Sequence, residues 1–166
     1  MANLADFNAK ELAAVGSQLT NDPSKYVNDE NVELQWAMKS YHHAETYFNL
    51  ISSVDPTALK LTKMDDEIYE EFRKDFPDLK IDVIKEDELK SAEAKEKWRP
   101  LINRFEKTIE DFNFGTLLRI DCTKDYSEEN SILVVRAQFL AIEVARNREG
   151  YNSPLRFKKK ENSEQT

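Results

Sequence analysis

The chain has one cysteine in 166 residues, so no intrachain disulfide can form. That fits a reducing compartment. It has three glycines, and Gly115 stands without glycine neighbours or a following G-K-[ST]. A phosphate-cradling loop is thereby excluded there. No apolar run reaches the length of a membrane-spanning helix. Positive charge is also in deficit: 24 Lys and Arg face 32 Asp and Glu, for a net charge of −8. Such a chain repels phosphate backbones, so direct nucleic-acid binding is not expected. A basic protein partner would instead be attracted and steered. The opening "MANLADFNAKELAAVG" contains acids and lacks a basic stretch followed by an apolar one. Neither a secretory signal nor a transit peptide is expected from it. The expectation is a monomer with the cytoplasm as its default location, the composition leaving the nucleus open as well, and no membrane partner.

What is present reads as helix. The length suits one domain with tails. The expected divisions are an N-terminal helix and polar connector at 1–30, a helical core at 31–152 and a polar tail at 153–166. In the first, "DFNAKELAAVGSQL" is a helical candidate capped by Asp6. In the core, Leu34, Ala37, Tyr41, Ala44, Phe48 and Ile51 alternate spacings of three and four, predicting an amphipathic helix over 31–54. Pro56 ends it. A second helix follows Thr62, with Asp65 at capping-box spacing and Met64, Ile68, Phe72 and Phe76 on its apolar side. A third lies within 85–112 on Trp98, Leu101, Phe105, Ile109 and Phe112, and Pro100 must kink or divide it. Asn113 or Gly115 would end it in the left-handed conformation. The last helix, 131–149, is apolar on nearly every side, which marks the most buried element. Gly150 caps it. Two short stretches alternate like strands, and 80–84 is expected to pair with 116–121. The predicted fold is mainly α: a compact single-domain helical bundle with a minor two-stranded β element.

The chemistry on these elements is sparse. His42 and Glu45 have helical metal-ligand spacing, but no further ligand is placed by the sequence, and the favoured reading puts both histidines, His42 and His43, on the solvent face. The acids of "MDDEIYEE" suit the positive start of a helix. Cys122 lacks a His or Lys partner. No catalytic residue, metal or cofactor is expected. The polar face of the last helix is the best candidate site. Arg136, Glu143 and Asn147 share a narrow face, with Arg146 beside it. Arg136 and Glu143 read either as a structural ion pair or as the lining of a peptide groove. Arg119 reads as the partner of Asp121 or Glu143, or as a contact to another protein.

Several long stretches together resemble a known family. "WAMKSYHHAETYFNLISSVDP", "LKLTKMDDEIYEEFRKDFP", "EAKEKWRP", "IEDFNFGTLLRID" and "EVARNREGYN" are similar to the polysaccharide biosynthesis domain-containing protein 1 family of animals and fungi. The likeness covers roughly residues 31–152 and implies a compact, mainly helical domain. Despite the family's name, it also implies a non-catalytic chaperone dedicated to translation elongation factor one alpha. Such a chaperone binds the nascent GTP-binding domain, with ribosome–nascent chain complexes as a further partner, and GTP-dependent folding releases it. A small metal-dependent transferase or hydrolase, and an adaptor for a mature folded protein, are the alternatives. The residues expected to meet the client are Arg119, Arg146, Asn147, Arg148, Tyr151, Tyr69 and Phe114, chosen for polarity and for their place beside these motifs.

Overall fold

The computed structural model describes residues 30–156. The N-terminal helical candidate, the connector after it and the end of the tail lie outside the described residues. Helix α1, Glu30–Ser53, is the longest element. Its buried row is Ala37, Ser40, Ala44, Tyr47 and Ile51. The expected row of larger residues is turned aside: Leu34 is 59 % exposed, while Tyr41 and Phe48 are half-buried. The reason is size. Small side chains at 37, 40 and 44 let the helix approach the backbone closely, and Ser40 Oγ donates to the Gly115 carbonyl at 3.3 Å.

A 3-10 turn, Pro56–Ala58, leads to α2, Asp65–Asp75. The buried Asp65 carboxylate accepts from the backbone N–H groups of Leu61 and Thr62 at 2.7 and 2.8 Å, fixing how the chain enters the helix. The helical stretch expected over 85–112 is divided into α3, Asp87–Lys90, and α4, Ala92–Arg104. Ser91 divides them by capping α4, accepting from Ala94 N–H at 3.0 Å. Pro100 sits inside α4, which continues to Arg104. Turns follow, and the left-handed residue there is Asp111 (φ 54°), neither Asn113 nor Gly115. Asp tolerates this conformation better than most side chains.

Gly115 opens a strand, and is no helix cap. Strand β1, Gly115–Arg119, pairs antiparallel with β2, Ser131–Val135, placing Leu117 opposite Leu133. Residues 80–84 do lie beside the end of β1, through a Val83–Asp121 bridge and the bond from Ile84 N–H to the Ile120 carbonyl at 2.9 Å. The ladder itself is made with "SILVV", which the sequence reading places in the last helix. A short apolar run has no period that separates strand from buried helix, and its β-branched residues favour the strand.

Helix α5, Arg136–Glu149, follows β2 directly and ends at Gly150 (φ 86°). Every residue from Ala137 to Asn147 is buried, so α5 is the central element. One sheet face meets α1 through Ala44, Leu117 and Leu133. Leu118, Ile132 and Val134 join the main core with Ile68, Phe72, Trp98 and Ile142. The rings of Phe72, Phe76 and Trp98 stack within it at centroid distances of 4.4–5.7 Å. Leu155 packs there too, so core contacts reach past residue 152. Among the described residues, no helix is long and apolar enough to cross a membrane.

Candidate functional site

Glu143 lies midway along α5 with no exposed surface. Its Oε2 accepts from Tyr47 Oη at 2.5 Å and from Asn152 Nδ2 at 3.0 Å. Its Oε1 accepts from Arg146 Nη1 at 2.8 Å. Arg119 Nη2 stands 3.3 Å from both oxygens. Arg146 also donates to three backbone carbonyls: Ile81 at 2.7 Å, Arg119 at 2.8 Å and Ile120 at 3.0 Å. Arg119 donates to the Cys122 carbonyl at 2.7 Å and to Asn152 Oδ1 at 2.8 Å. Asn152 Nδ2 reaches Asn147 Oδ1 at 2.7 Å, and Asn147 Nδ2 reaches Tyr47 Oη at 3.3 Å. One network therefore ties α1, the chain at residue 81, β1, α5 and the segment after it.

Two buried cations surround one buried anion, and the imbalance has visible compensation. Backbone carbonyl oxygens accept hydrogen bonds from both guanidinium groups, and Arg119 lies 5.6 Å from the Phe48 ring centroid and 6.0 Å from that of Tyr126. Burial pushes the Glu143 carboxyl up, but Arg119, Arg146 and the hydrogen bonds pull it down to about 2. It is ionised throughout the neutral range. Burial, then the neighbouring Glu143, holds the Tyr47 hydroxyl well above its ordinary value, so it stays a donor. Burial also raises the Cys122 thiol, which stays protonated at neutral pH and is no thiolate nucleophile. The network is sealed from solvent and built to hold elements together.

This burial corrects part of the sequence reading. Arg119 and Arg146 have no exposed surface and Asn147 has 1 %. None of the three can touch a partner without opening the core. Glu143 pairs with Arg119 and Arg146, and the expected pair with Arg136 does not form. Seven residues of helix separate them by about 10 Å along the axis. Arg148 and Tyr151 do reach the surface. Arg148 pairs with the Asp66 carboxylate, and its guanidinium lies 5.4 Å from the Tyr69 ring centroid, so Arg148 and Tyr69 share a patch. Phe114 is half-buried against Trp36, at 6.4 Å between ring centroids. His42 and Glu45 are exposed, but His43 is half-buried rather than solvent-facing. The reason is that it lies beside the buried row of α1, with its ring 5.3 Å from that of Phe139 and 6.3 Å from that of Tyr47. No group of three metal-ligating residues occurs among the described residues. Tyr47 and Asn152 were not legible as members of the network. A hydroxyl within an apolar helical row was the available signal for Tyr47, and Asn152 offered none.

Two concavities flank this frame. A groove of about 610 Å³ at the end of α2 is lined, among the described residues, by Asp75, Asp78, Asp87, Glu88 and Glu93 against Lys97, with Phe76 and Leu79 among its apolar walls. A cavity of about 200 Å³ lies between Lys39 and His43 of α1 and Arg136 of α5. There Arg136 Nε and His43 Nδ1 are buried without a hydrogen-bond partner among the described residues. An unsatisfied buried group costs about 1–3 kcal/mol, so each calls for an explanation.

A small, mainly helical domain braced by a closed ionic frame is the class these features define. The chain belongs to the PBDC1 protein family, whose model matches residues 32–157. It is 58 % identical over 145 residues to Protein PBDC1 of Homo sapiens, a match covering 87 % of this chain and 62 % of that protein. It thus spans less than two thirds of the human relative. It is 50 % identical over 129 residues to the PBDC1 homolog of Saccharomyces cerevisiae, covering 75 % of this chain and 88 % of the homolog. The solution NMR structure of protein yst0336 from Saccharomyces cerevisiae matches with a TM-score of 0.71 at 47 % identity, over 78 % of this chain and 92 % of that one.

Proposed function

We propose that this protein is a non-catalytic, client-specific chaperone of the cytoplasm. Its client is the nascent GTP-binding domain of translation elongation factor one alpha, on which it acts during synthesis and until GTP-dependent release. The observation that carries this reading is membership of the PBDC1 family, whose model runs through the helical core; the chaperone role is what the family resemblance implies. Charge agrees with it. The factor is basic as a class, and this chain has a net charge of −8. Complementary charge speeds the capture of an emerging domain. The acid-lined groove offers basic client segments a complementary surface, and Arg148, Tyr151, Tyr69 and Phe114 remain as contacts with accessible surface. Release requires the nucleotide-bound, folded client to bind more weakly than the immature one. The switch then lies in the client, and the ionic frame keeps the chaperone rigid.

The test is a pull-down from translating extract through a tag on this chain. Ribosomes bearing the nascent factor should be enriched over ribosomes bearing other chains, and GTP should reduce capture once the domain is complete. Depletion should lower the soluble yield of the factor. Unchanged synthesis, solubility and abundance of the factor after depletion would overturn the proposal. Persistent binding to mature, GTP-loaded factor would point to an adaptor instead.

A further inference from the structure

Lys39 and His43 are four residues apart on α1, so they project from one face of that helix. Across a cavity of about 200 Å³ they meet Arg136, the first residue of α5. The rest of the lining includes Phe114 and Asp111. Among the described residues, neither Lys39 nor Arg136 makes an ion pair, and Asp111 pairs with neither. Arg136 Nε and His43 Nδ1 are both buried with no hydrogen-bond partner among the described residues. Among the described residues of the lining, Lys39 and Arg136 against Asp111 leave this spot basic, on a chain whose net charge is −8. The five carboxylates of the groove at the end of α2 make the contrast sharper.

We infer that this cavity is a binding subsite for a single oxyanion, a carboxylate or phosphate group, held by Lys39, His43 and Arg136. A guanidinium with a free N–H beside an ammonium is the donor set that recognises such groups. A metal cation would meet repulsion from both. The volume is below the roughly 300 Å³ at which pockets for whole small molecules begin. One acid group fits, and a complete nucleotide does not. Burial, then Arg136, holds the His43 ring below its ordinary pKa, so at neutral pH it is uncharged with one N–H to offer. The first two backbone N–H groups of α5 are already bonded to the Phe114 and Phe112 carbonyls. Recognition therefore rests on side chains.

The test is a titration of the isotope-labelled full chain with inorganic phosphate and, separately, with acetate. Chloride at equal ionic strength is the control, and the Arg Nε–H and His ring signals are followed by NMR. Saturable shifts centred on Arg136 and His43 are expected from at least one oxyanion, and the preferred one identifies the group. Arg136→Gln should weaken binding by about tenfold or more, the effect of losing a charge-assisted hydrogen bond. Its amide spectrum reports whether the fold is kept. Lys39→Gln, at an exposed position, should also weaken binding, and Arg148→Gln at the far end of α5 should leave it unchanged. Shifts that fail to saturate with both anions overturn the inference. So does binding that survives Arg136→Gln in a folded chain, or binding lost equally in Arg148→Gln.

Discussion

Arg136 begins α5 and Arg146 stands near its end, and the same side chain meets opposite surroundings at the two places. Arg146 is fully buried and donates to the Glu143 carboxylate and three backbone carbonyls. Arg136 is half-buried, and its Nε–H finds no acceptor among the described residues. The difference teaches how to tell a structural arginine from an available one. What counts is whether the chain supplies acceptors to the guanidinium as a whole: Arg119 Nε also lacks one among the described residues, but its terminal nitrogens donate to Cys122, Glu143 and Asn152. Exposure alone is a weaker guide, because both residues are withdrawn from bulk water to some degree.

The largest test of this contrast is Glu143→Gln. It keeps the shape of the side chain but leaves Arg119 and Arg146 buried without an anion. Breaking a buried ion pair from one side costs about 3–5 kcal/mol, a large share of the 5–15 kcal/mol that typical domains possess. The urea midpoint should fall accordingly, or the chain should fail to fold. An unchanged midpoint would mean that the network contributes little to stability. Arg146→Glu should be at least as damaging, since it sets a second carboxylate against Glu143. It therefore disrupts folding, and does not isolate a client contact.

Acid should reproduce part of that loss in the unaltered protein. The Glu143 carboxyl is held at about 2 against an ordinary 4.5. Its contribution is complete above the unfolded-state value and is lost as pH falls from 4.5 through about 2. The interval corresponds to about 3 kcal/mol. In a folded Glu143→Gln chain, the fall in stability over this range should be shallower by that order. Identical acid limbs in the two proteins would remove Glu143 as the cause.

Tyr47→Phe is the milder intervention on the same network. It deletes the hydroxyl that donates to Glu143 and accepts from Asn147. A hydrogen bond to a charged group contributes about 1.5–3 kcal/mol, so denaturant unfolding should register a loss in that range. A loss as large as that of Glu143→Gln would imply that the phenyl ring no longer packs against Phe139, its edge-on neighbour at 5.2 Å.

How much of this was legible beforehand follows from what each feature depends on. The helices of α1, α2 and α5 announce themselves by period, capping residues and Gly150, all local signals. The "SILVV" strand was not legible, because strand pairing depends on partners twelve to twenty residues away, from Ser131 opposite Arg119 to Val135 opposite Gly115. Glu143 as the partner of Arg119 was among the readings the sequence allowed. That Arg146 would join them, and that all three would be sealed, required the carbonyls of Ile81 and Ile120 to converge. No spacing records that convergence. The α1 stripe failed more simply: the apolar count favours Leu34 and Phe48, while packing against the sheet favours the small residues on the neighbouring face.

The smallest expected change in stability is at Arg136, where the contrast is sharpest. A cation in the first turn of a helix opposes the helix dipole, an effect of about 0.3–1 kcal/mol. Arg136 has no ion pair among the described residues to offset it, and its buried Nε–H adds a desolvation penalty. Arg136→Gln should therefore leave the urea midpoint unchanged or raise it slightly in chloride buffer. A fall of more than about 1 kcal/mol, beyond the usual range for a substitution away from structural features, would place Arg136 with Arg146 as part of the frame. In an oxyanion that binds the cavity the order should reverse. The protein that retains Arg136 gains more stability by binding, because a ligand specific to the folded state stabilises it more the further its concentration exceeds the dissociation constant. A structural arginine has no reason to respond to the anion in this way, so the crossing of the two stability curves separates the roles.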